Sequence, residues 1–316
     1  MSNKLIALFI LLSGIFCKTF AQTSQPVYDT LQIGGIKQVV SYKGSPDSAI
    51  ILFLHGGPGS SRMRQADLFS NELEKHFLVV QWDQREAGRT AALNKSPLPI
   101  TIERMENDSY ELIVALLQKF NAKKLFLAGE SWGNVPGFKM AEKHPELLHA
   151  YLAFSPVIDQ AKSERILIEK LKASMKGNPV AQKELASIKV PFENSEQIYY
   201  SRKWMFHYDG NPFADKDTAA VKQYLQNWSD IWLPTWNKAI QRNLFKTLPK
   251  INCPVYFFIG NKDLQTNHEI ATSYFQKLQA PHKKIYAFRN AGHSVLTEES
   301  AQVQKIIIEE ILSRLK

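Results

Sequence analysis

Cysteine is scarce in this chain of 316 residues, which contains only Cys17 and Cys253. Cys17 lies in an amino-terminal segment that we expect to be removed, so the mature protein keeps Cys253 alone and can form no intrachain disulfide. The fold must therefore be stabilised by its core. No group of cysteines and histidines has the spacing of zinc ligands, and we predict that the protein needs neither a metal nor an organic cofactor.

Clustered positive charge is also lacking. The formal net charge is +9, but the lysines and arginines are spread along the chain without a run of five or more. A nucleic-acid site needs a basic stripe on a matching fold, so we predict no nucleic-acid partner. Charged residues at 22% and hydrophobic residues at 44% are typical of a globular protein. The length suits one large α/β domain with an inserted subdomain.

The apolar run near the start of the chain, residues 5–16, is too short to span a bilayer comfortably. Lys4 precedes this run, and Thr19 and Ala21 place small residues at the −3 and −1 positions of a cleavage site. This pattern is typical of a secretory signal peptide, and we predict that residues 1–21 are removed.

A protein processed in this way is exported, periplasmic or secreted, and has no stable membrane insertion after the signal is removed. A retained membrane anchor is the alternative interpretation. Lipid attachment at Cys17 is disfavoured because Ile15 and Phe16 are bulky where such attachment needs small residues.

Continuous apolar runs predict strands that are buried on both faces of a mostly parallel sheet. They occupy residues 49–54, 77–82, 124–128, 147–154, 254–259 and 283–288. Ahead of them, residues 30–33 and 37–42 alternate around Gly34 and Gly35 and predict a hairpin. Amphipathic helices are predicted at residues 101–120, 134–144 and 302–315. These elements indicate an α/β core built from residues 22–157 and 248–316.

Residues 158–247 contain no apolar run of this kind. Helix candidates occupy residues 162–176, 180–188, 193–208 and 217–228, and aromatic residues are dense among them. We predict an all-helical insertion between sheet strands, which would form a cap over a site on the core. The aromatic side chains either pack this cap onto the core or line an apolar pocket.

The segment Gly129-Glu130-Ser131-Trp132-Gly133 follows a predicted strand and precedes a predicted helix. Small residues two positions either side of Ser131 permit a tight turn that lifts its hydroxyl above the sheet edge. We predict that Ser131 is a nucleophile. An ordinary glycine-rich turn is the alternative.

Another glycine-rich segment, His55-Gly56-Gly57-Pro58-Gly59, follows the first buried strand. Its backbone can point N–H groups into a cavity, and we expect the N–H groups of Gly57 and Trp132 to form an oxyanion hole. A tight connection without chemistry is the alternative. His55 is expected to brace this loop, with a role as the catalytic base as the alternative.

A third segment, Asp83-Gln84-Arg85, follows the next strand. An ion pair between Asp83 and Arg85 is expected to stiffen it, with direct contact to a substrate as the alternative. With these three motifs in this order, the chain resembles the α/β-hydrolase superfamily, and more narrowly the proline iminopeptidase group. The resemblance covers roughly residues 45–160 and 250–312. One residue departs from it: the group usually has glycine after the arginine, where this chain has Glu86.

The resemblance implies the other two members of a catalytic triad. Asp263 follows a buried strand where the superfamily places its acid, and His293 follows Gly292 on the loop after the last strand, where the superfamily places its general base. The order Ser131, Asp263, His293 is that of α/β hydrolases and differs from that of chymotrypsin or subtilisin.

In the resembling aminopeptidases, acids of the cap hold the free α-amine of the substrate. Glu196 and then Glu164 are the candidates here, with a solvated helix face as the alternative, and Glu86 adds an acid near the expected pocket entrance. No second partner for Glu196 is evident from the sequence.

The resemblance implies a serine hydrolase that releases an N-terminal, proline-like residue from short peptides through an acyl-enzyme, and the predicted signal peptide implies that it is exported. The alternative is an esterase or amidase acting on small apolar acyl substrates. A non-catalytic binding protein on the same scaffold is a third possibility, which the complete Ser-Asp-His set disfavours. In the first two cases the expected partner is a small-molecule or short-peptide substrate.

Overall fold

The computed structural model describes residues 25–210 and 218–315. The predicted signal peptide lies outside the described residues. The described residues form one eight-stranded sheet with the order β1-β2-β4-β3-β5-β6-β7-β8. Its strands are β1 (Val27–Ile33), β2 (Ile36–Lys43), β3 (Ala49–Leu54), β4 (Phe77–Asp83), β5 (Leu125–Glu130), β6 (Leu148–Phe154), β7 (Val255–Gly260) and β8 (Lys283–Phe288).

The hairpin of β1 and β2 is antiparallel, and β2 also pairs antiparallel with β4. From β4 to β8 every neighbouring pair is parallel. The mostly parallel sheet that the apolar runs predict is therefore present, with the antiparallel hairpin at one edge. Gly34 and Gly35 both have positive φ, which explains why the hairpin turn contains two glycines.

The helices flank this sheet. They are α1 (Asp67–Ser70), α2 (Gly88–Leu93), α3 (Ile102–Lys119), α4 (Asn134–Lys143), α5 (Gln160–Ser174), α6 (Pro179–Ala186), α7 (Ser195–Tyr208), α8 (Thr218–Ile240), α9 (Leu244–Thr247), α10 (His268–Lys277), α11 (Val295–Glu298) and α12 (Ser300–Ile306). The chain continues from α12 through a π-helical turn, Ile307–Ile311, and a 3₁₀ turn, Leu312–Leu315. No helix in residues 25–210 and 218–315 is both long and apolar enough to cross a membrane.

Alternate residues of the buried strands enter two separate cores. In β3, Ile50, Leu52 and Leu54 pack with residues of α3, α4 and α10, whereas Ile51 and Phe53 pack with residues of α1, α11 and α12. Each face of the sheet is thus covered by helices, which is why these strands are largely apolar, with the buried polar residues Gln81, Asp83 and Glu130 in the carboxyl-terminal halves of β4 and β5.

The described part of the segment between β6 and β7 is helical, from α5 to α9. Its helix α8 lies against the loop after β3, where the indole N–H of Trp228 donates to the carbonyl oxygen of Pro58 at 2.9 Å. Farther along α8, Trp232 and Trp236 pack against Trp132, which directly follows Ser131. These contacts join the helical segment to the carboxyl edge of the sheet.

The expected ion pair between Asp83 and Arg85 does not form. Arg85 is buried and pairs with Asp108 of α3, and it also donates to the carbonyl oxygen of Gly34. Asp83 instead accepts hydrogen bonds from Ser61 Oγ and from the backbone N–H of Arg89. The prediction was wrong because proximity in sequence favoured a local partner, while the fold brings α3 beside the loop.

Candidate active site

Ser131 lies at the carboxyl end of β5, on the sharp turn that leads into α4. Its backbone has a positive φ of 50°, a conformation that is strained for residues other than glycine. Gly133 is needed beside it, because a Cβ at this position would lie 2.0 Å from the carbonyl oxygen of Leu54 in β3. The turn therefore holds the serine at the edge of the sheet, where the neighbouring loops can reach its hydroxyl.

The imidazole of His293 lies between Ser131 and Asp263. Its Nε2 is 3.0 Å from Ser131 Oγ, and its Nδ1 is 2.9 Å from Asp263 Oδ2. An Nδ1–H that donates to the carboxylate leaves Nε2 free to accept the serine proton, which is the tautomer that a general base needs. The structure thus brings together the three side chains that the sequence predicts as a triad.

The carboxylate of Asp263 is fully enclosed by hydrogen-bond donors. Its Oδ1 accepts from the backbone N–H groups of Gln265 and Thr266, at 2.8 and 3.0 Å, and its Oδ2 accepts from Thr266 Oγ1 at 2.7 Å. Burial alone would raise the pKa of Asp263, but the charge of His293 and these hydrogen bonds outweigh it and lower the pKa to about 2. The side chain therefore stays ionised at neutral pH.

The loop that carries His293 is fixed by hydrogen bonds from the residues that follow β6 and β7. Ser155 Oγ donates to the carbonyl oxygen of His293 at 2.7 Å, and the N–H of Lys262 donates to the carbonyl oxygen of Ala291 at 2.9 Å. Gly260 lets the two segments meet, because a Cβ there would lie 2.1 Å from the carbonyl oxygen of Gly292. Burial alone would lower the pKa of His293, but the nearby charge of Asp263 raises it above its ordinary value.

The loop after β3 faces Ser131. Gly57 has a φ of 119° and lines the same cavity as Ser131 and His293, while Trp132, whose N–H is the other predicted oxyanion donor, is buried. His55 is buried beneath this loop, with Nδ1 2.8 Å from the carbonyl oxygen of Gly56 and Nε2 accepting from the N–H of Gln84 at 3.2 Å. Burial lowers the pKa of His55, so it remains neutral and braces the loop, as its sequence position predicts.

A cavity of about 560 Å³ opens on one side of Ser131, between the sheet edge and the helical segment. Helices α7 and α8 supply most of its lining, largely with apolar and aromatic side chains, and we call it the apolar cavity. That lining includes Ile198, Phe206, Val221, Tyr224, Leu225, Trp228 and Trp236. Of the two roles expected for the aromatic side chains, both occur: Trp232 is buried against Trp132, whereas Trp228 and Trp236 also line the cavity.

A second cavity of about 360 Å³ adjoins Ser131 and His293 and has a polar lining. We call it the polar cavity. Gly56, Ser61, Arg62, Gln65 and Glu130 form its distinctive wall, and Gly57, Ser60, Ser131, Gln265 and His293 are shared with the apolar cavity. The serine hydroxyl and the imidazole therefore stand at the junction of two chemically different spaces.

The predicted cap acids do not reach either cavity. Glu164 is completely buried and forms a bidentate ion pair with Arg202, at 2.5 and 2.9 Å, so that the guanidinium and not the carboxylate lines the apolar cavity. Glu196 is exposed, accepts from the hydroxyl of Tyr200 at 2.7 Å and borders two depressions on the outer surface of the helical segment.

Glu86 is half-buried and accepts from the backbone N–H of Ser96 at 2.6 Å. Its φ of 51° lies in the left-handed region, which explains why the resembling group has glycine here. The carboxylate thus holds the loop that follows β4, and it is not part of the lining of either cavity.

Several residues of the site were missed from the sequence. Arg62, Gln160, Arg202 and Gln265 line the cavities, but nothing in the sequence marks these side chains as facing a site. Thr266 could have been found, since a hydroxyl residue three positions after an aspartate often closes a local hydrogen-bonded turn around its carboxylate.

Among the described residues, no group of three or more His, Cys, Asp and Glu side chains is arranged to hold a metal ion.

Comparison with known proteins identifies the family. A family profile described as serine aminopeptidase, S33, matches residues 45–300. The chain belongs to the serine aminopeptidase S33 family. It is 28% identical over 293 residues to the probable aminopeptidase YbaC of Bacillus subtilis (strain 168), covering 85% of this chain and 91% of that protein. The proline iminopeptidase of Neisseria gonorrhoeae is 30% identical over 117 residues, which cover 37% of this chain and 36% of that protein.

The fold of this family member also matches solved structures. The proline iminopeptidase-related protein from Thermus thermophilus superimposes with a TM-score of 0.63 at 16% identity, covering 92% of this chain and 98% of that one. The predicted α/β-hydrolase fold and the resemblance to the proline iminopeptidase group are therefore confirmed. The chain is an α/β hydrolase.

Proposed function

We propose that the protein is a serine hydrolase in which Ser131, His293 and Asp263 act as a catalytic triad. The observation that carries this proposal is the position of His293, within hydrogen-bond distance of Ser131 Oγ on one side and of Asp263 on the other. The strained turn at Ser131 supports it, since such strain is concentrated at functional positions.

In this mechanism His293 Nε2 removes the proton of Ser131, and Oγ forms a bond to the substrate's carbonyl carbon. The N–H groups of Gly57 and Trp132 stabilise the oxyanion. When the bond to the leaving group breaks, His293 returns its proton to the leaving nitrogen or oxygen. Water, deprotonated by the same imidazole, then hydrolyses the acyl-enzyme and restores Ser131.

The substrate class that we propose is short peptides from which an N-terminal residue is released. The family and the names of its relatives, a probable aminopeptidase and a proline iminopeptidase, support this choice. The apolar cavity suits a small apolar side chain such as that of proline. The segment α5–α8 would act as a cap that excludes long chains, since its helix α8 lies directly over the loop that carries Gly57.

One observation favours a second candidate, an esterase or amidase for small apolar acyl groups. None of the described residues that line the apolar cavity has a carboxylate that could bind an α-amine. The nearest predicted acid, Glu164, lies behind Arg202 and is neutralised by it. A substrate without a free amine would fit such a cavity equally well.

Hydrolysis of matched substrates separates the two candidates. Prolyl- and alanyl-β-naphthylamide, their N-acetylated forms and p-nitrophenyl butyrate are assayed with the purified mature protein, and Ser131→Ala is the control. We expect turnover of the free-amine amides and loss of activity on acetylation. Turnover of the butyrate ester alone, abolished in Ser131→Ala, would support the esterase and contradict the aminopeptidase.

A further inference from the structure

The polar cavity beside Ser131 has no role in the mechanism described above. It shares the serine, the imidazole and the three residues Gly57, Ser60 and Gln265 with the apolar cavity, but the rest of its lining is different. Its far wall consists of polar groups, and Ser60 and Gln65 at its rim are exposed. A substrate bound at the serine must therefore extend one part into an apolar space and the other into a polar space that opens toward solvent.

The sequence of steps in the reaction decides which cavity holds the acyl group and which holds the leaving group. The acyl group stays on the serine while water enters, so it must be held in place after the first product has left. The apolar cavity can hold it by burying its surface. The leaving group must receive a proton from His293 and then diffuse away, and the polar cavity, with an exposed rim, provides that route.

Arg62 contributes a positively charged guanidinium to the lining of the polar cavity. Its Nε and Nη2 donate to the two oxygens of Glu130, and its Nη1 donates to Gln65 Oε1 at 2.9 Å. The Glu130 carboxylate is buried, with 7% of its side chain exposed, whereas 23% of the Arg62 side chain is exposed. Both side chains line the polar cavity, with Glu130 the more buried of the two, and its carboxylate fixes the orientation of the guanidinium.

The guanidinium retains unused donors. Of its five N–H groups, three take part in the hydrogen bonds formed with described residues. The remaining two are one on Nη1 and one on Nη2, and a carboxylate is the acceptor with which guanidinium N–H groups form their stronger, charge-assisted hydrogen bonds. A leaving group that ends in a carboxylate supplies the acceptor that these donors lack.

We propose that the polar cavity is a binding subsite for the leaving group and that Arg62 recognises a carboxylate on it. For a peptide substrate, this is the carboxyl terminus of a dipeptide, next to the bond that Ser131 cleaves. The inference rests on the proposed role of Ser131 and adds to it a preference for dipeptides over longer or amidated peptides. Glu130 acts as a positioning residue for the Arg62 guanidinium.

The test measures a ratio within each variant, so that a misfolded fraction cancels. The kcat/KM of Pro-Gly is divided by that of Pro-Gly-amide. The same ratio is measured for esters, butyryl-glycolate against butyryl-glycolamide, which have the same difference in the leaving group but no amine. Both ratios are measured in Arg62→Gln. The double variant Arg62→Gln/Glu130→Gln is added because it leaves no buried charge unpaired. Arg64→Gln, which removes an exposed arginine of the same segment, is the control.

We expect the wild type to prefer the free carboxylate by about tenfold, the lower end of what a hydrogen-bonded charge pair contributes, because Arg62 is partly exposed and already paired. The ratio should fall to about one in Arg62→Gln and in the double variant, mainly through KM, and should persist in Arg64→Gln. A wild-type ratio of one or below, or a preference that survives in Arg62→Gln, would overturn the proposal.

The ester series separates this inference from the proposed function. If neither peptide is cleaved but the ester ratio depends on Arg62, the peptidase assignment fails and the carboxylate subsite stands. If the peptides are cleaved without regard to their carboxyl terminus, the peptidase assignment stands and the subsite fails.

Discussion

At the scale of single residues, the site depends on the backbone conformation of Ser131, on the hydrogen bonds around Asp263 and on two ion pairs with unequally buried partners. Ser131 is held with positive φ, and Asp263 is surrounded by donors that keep it ionised. In the two ion pairs that border the cavities, Glu130 and Glu164 are more buried than Arg62 and Arg202. Arg202 therefore lines the apolar cavity without its partner Glu164, whereas Arg62 and Glu130 both line the polar cavity, an arrangement that could not be predicted from either acid in isolation.

Removing the charge of Asp263 tests its role in orienting His293. In Asp263→Asn the amide cannot stabilise the imidazolium and favours the wrong tautomer, so we expect kcat to fall by about 10³–10⁴-fold with little change in KM. Steady-state kinetics on the best substrate measures this loss. Asp230→Asn, on the exposed surface of α8, is the matched control and should retain full activity. A loss below tenfold in Asp263→Asn would contradict the triad.

The pH dependence of kcat/KM tests the environment of the imidazole. General-base catalysis needs neutral His293, whose pKa is raised above its ordinary 6.5 by Asp263 and, more weakly, by Glu130. Activity should therefore be present at high pH and lost as the pH falls, with a midpoint above 6.5. In Glu130→Gln the midpoint should move to lower pH, because a negative charge near the imidazole is removed.

Glu196→Gln provides the control for this pH profile, since Glu196 is exposed on the outer surface of the helical segment. Its midpoint should equal that of the wild type. A wild-type midpoint below 6.5, or an equal shift in both variants, would contradict the electrostatic description of His293.

At the scale of elements, the strands were predictable and the ends of the helices were not. The central parallel strands appear as largely apolar runs, because both of their faces are covered. The helix predicted to end near Trp228 instead continues to Ile240, with Pro234 in its interior. Pro234 disfavours a helix locally, but Trp232 and Trp236 on either side of it pack against Trp132, and this tertiary contact outweighs the local preference.

The order of the triad was predictable, but the side-chain pairs that support the site were not. A glycine-flanked serine after a strand has a local signature. In contrast, Arg62 and Glu130 are 68 positions apart, and Arg202 and Glu164 are 38 apart. Only the folded sheet and the helical segment bring such residues together, so the electrostatic character of the two cavities could not be read from the sequence.

The turn at Ser131 can be tested through its glycine. In Gly133→Ala the new Cβ would lie 2.0 Å from the carbonyl oxygen of Leu54, which is backbone of β3 and cannot move aside. We expect the free energy of unfolding to fall by about 1–3 kcal/mol or more, with loss of activity. Urea unfolding measures the change.

Gly177→Ala is the matched control for the turn, because a Cβ at this glycine meets no atom within 4 Å. Its free energy of unfolding should stay the same or increase slightly. If both variants were equally stable and active, close packing of β3 against the turn would not be required.

At the scale of the whole molecule, one sheet collects the ends of β3, β5, β7 and β8 at a single edge, where the loops carrying Gly57, Ser131, Asp263 and His293 meet. This convergence follows from the parallel arrangement and was predictable once the strands were recognised. Export of the chain, predicted from residues 1–21, concerns residues outside those that the structure describes, and it remains a proposal.

Counting thiols tests both processing and burial. Cys253 is 3% exposed, and burial raises its pKa to about 12, so we expect no reaction with a thiol reagent in the native protein. After denaturation in guanidinium, exported protein should show one thiol per chain. Two thiols would mean that Cys17 is retained, and reaction of the native protein would contradict the buried position of Cys253.

The central claim is that Ser131 is the nucleophile of this family member. Labelling with a fluorophosphonate, followed by peptide mass spectrometry, tests it most directly, because the reagent forms a stable bond with an activated serine. We predict one adduct per chain, located on Ser131, with complete loss of hydrolysis and with no adduct in Ser131→Ala. An unlabelled wild type, or an adduct on another serine with the same loss of activity, would contradict the claim.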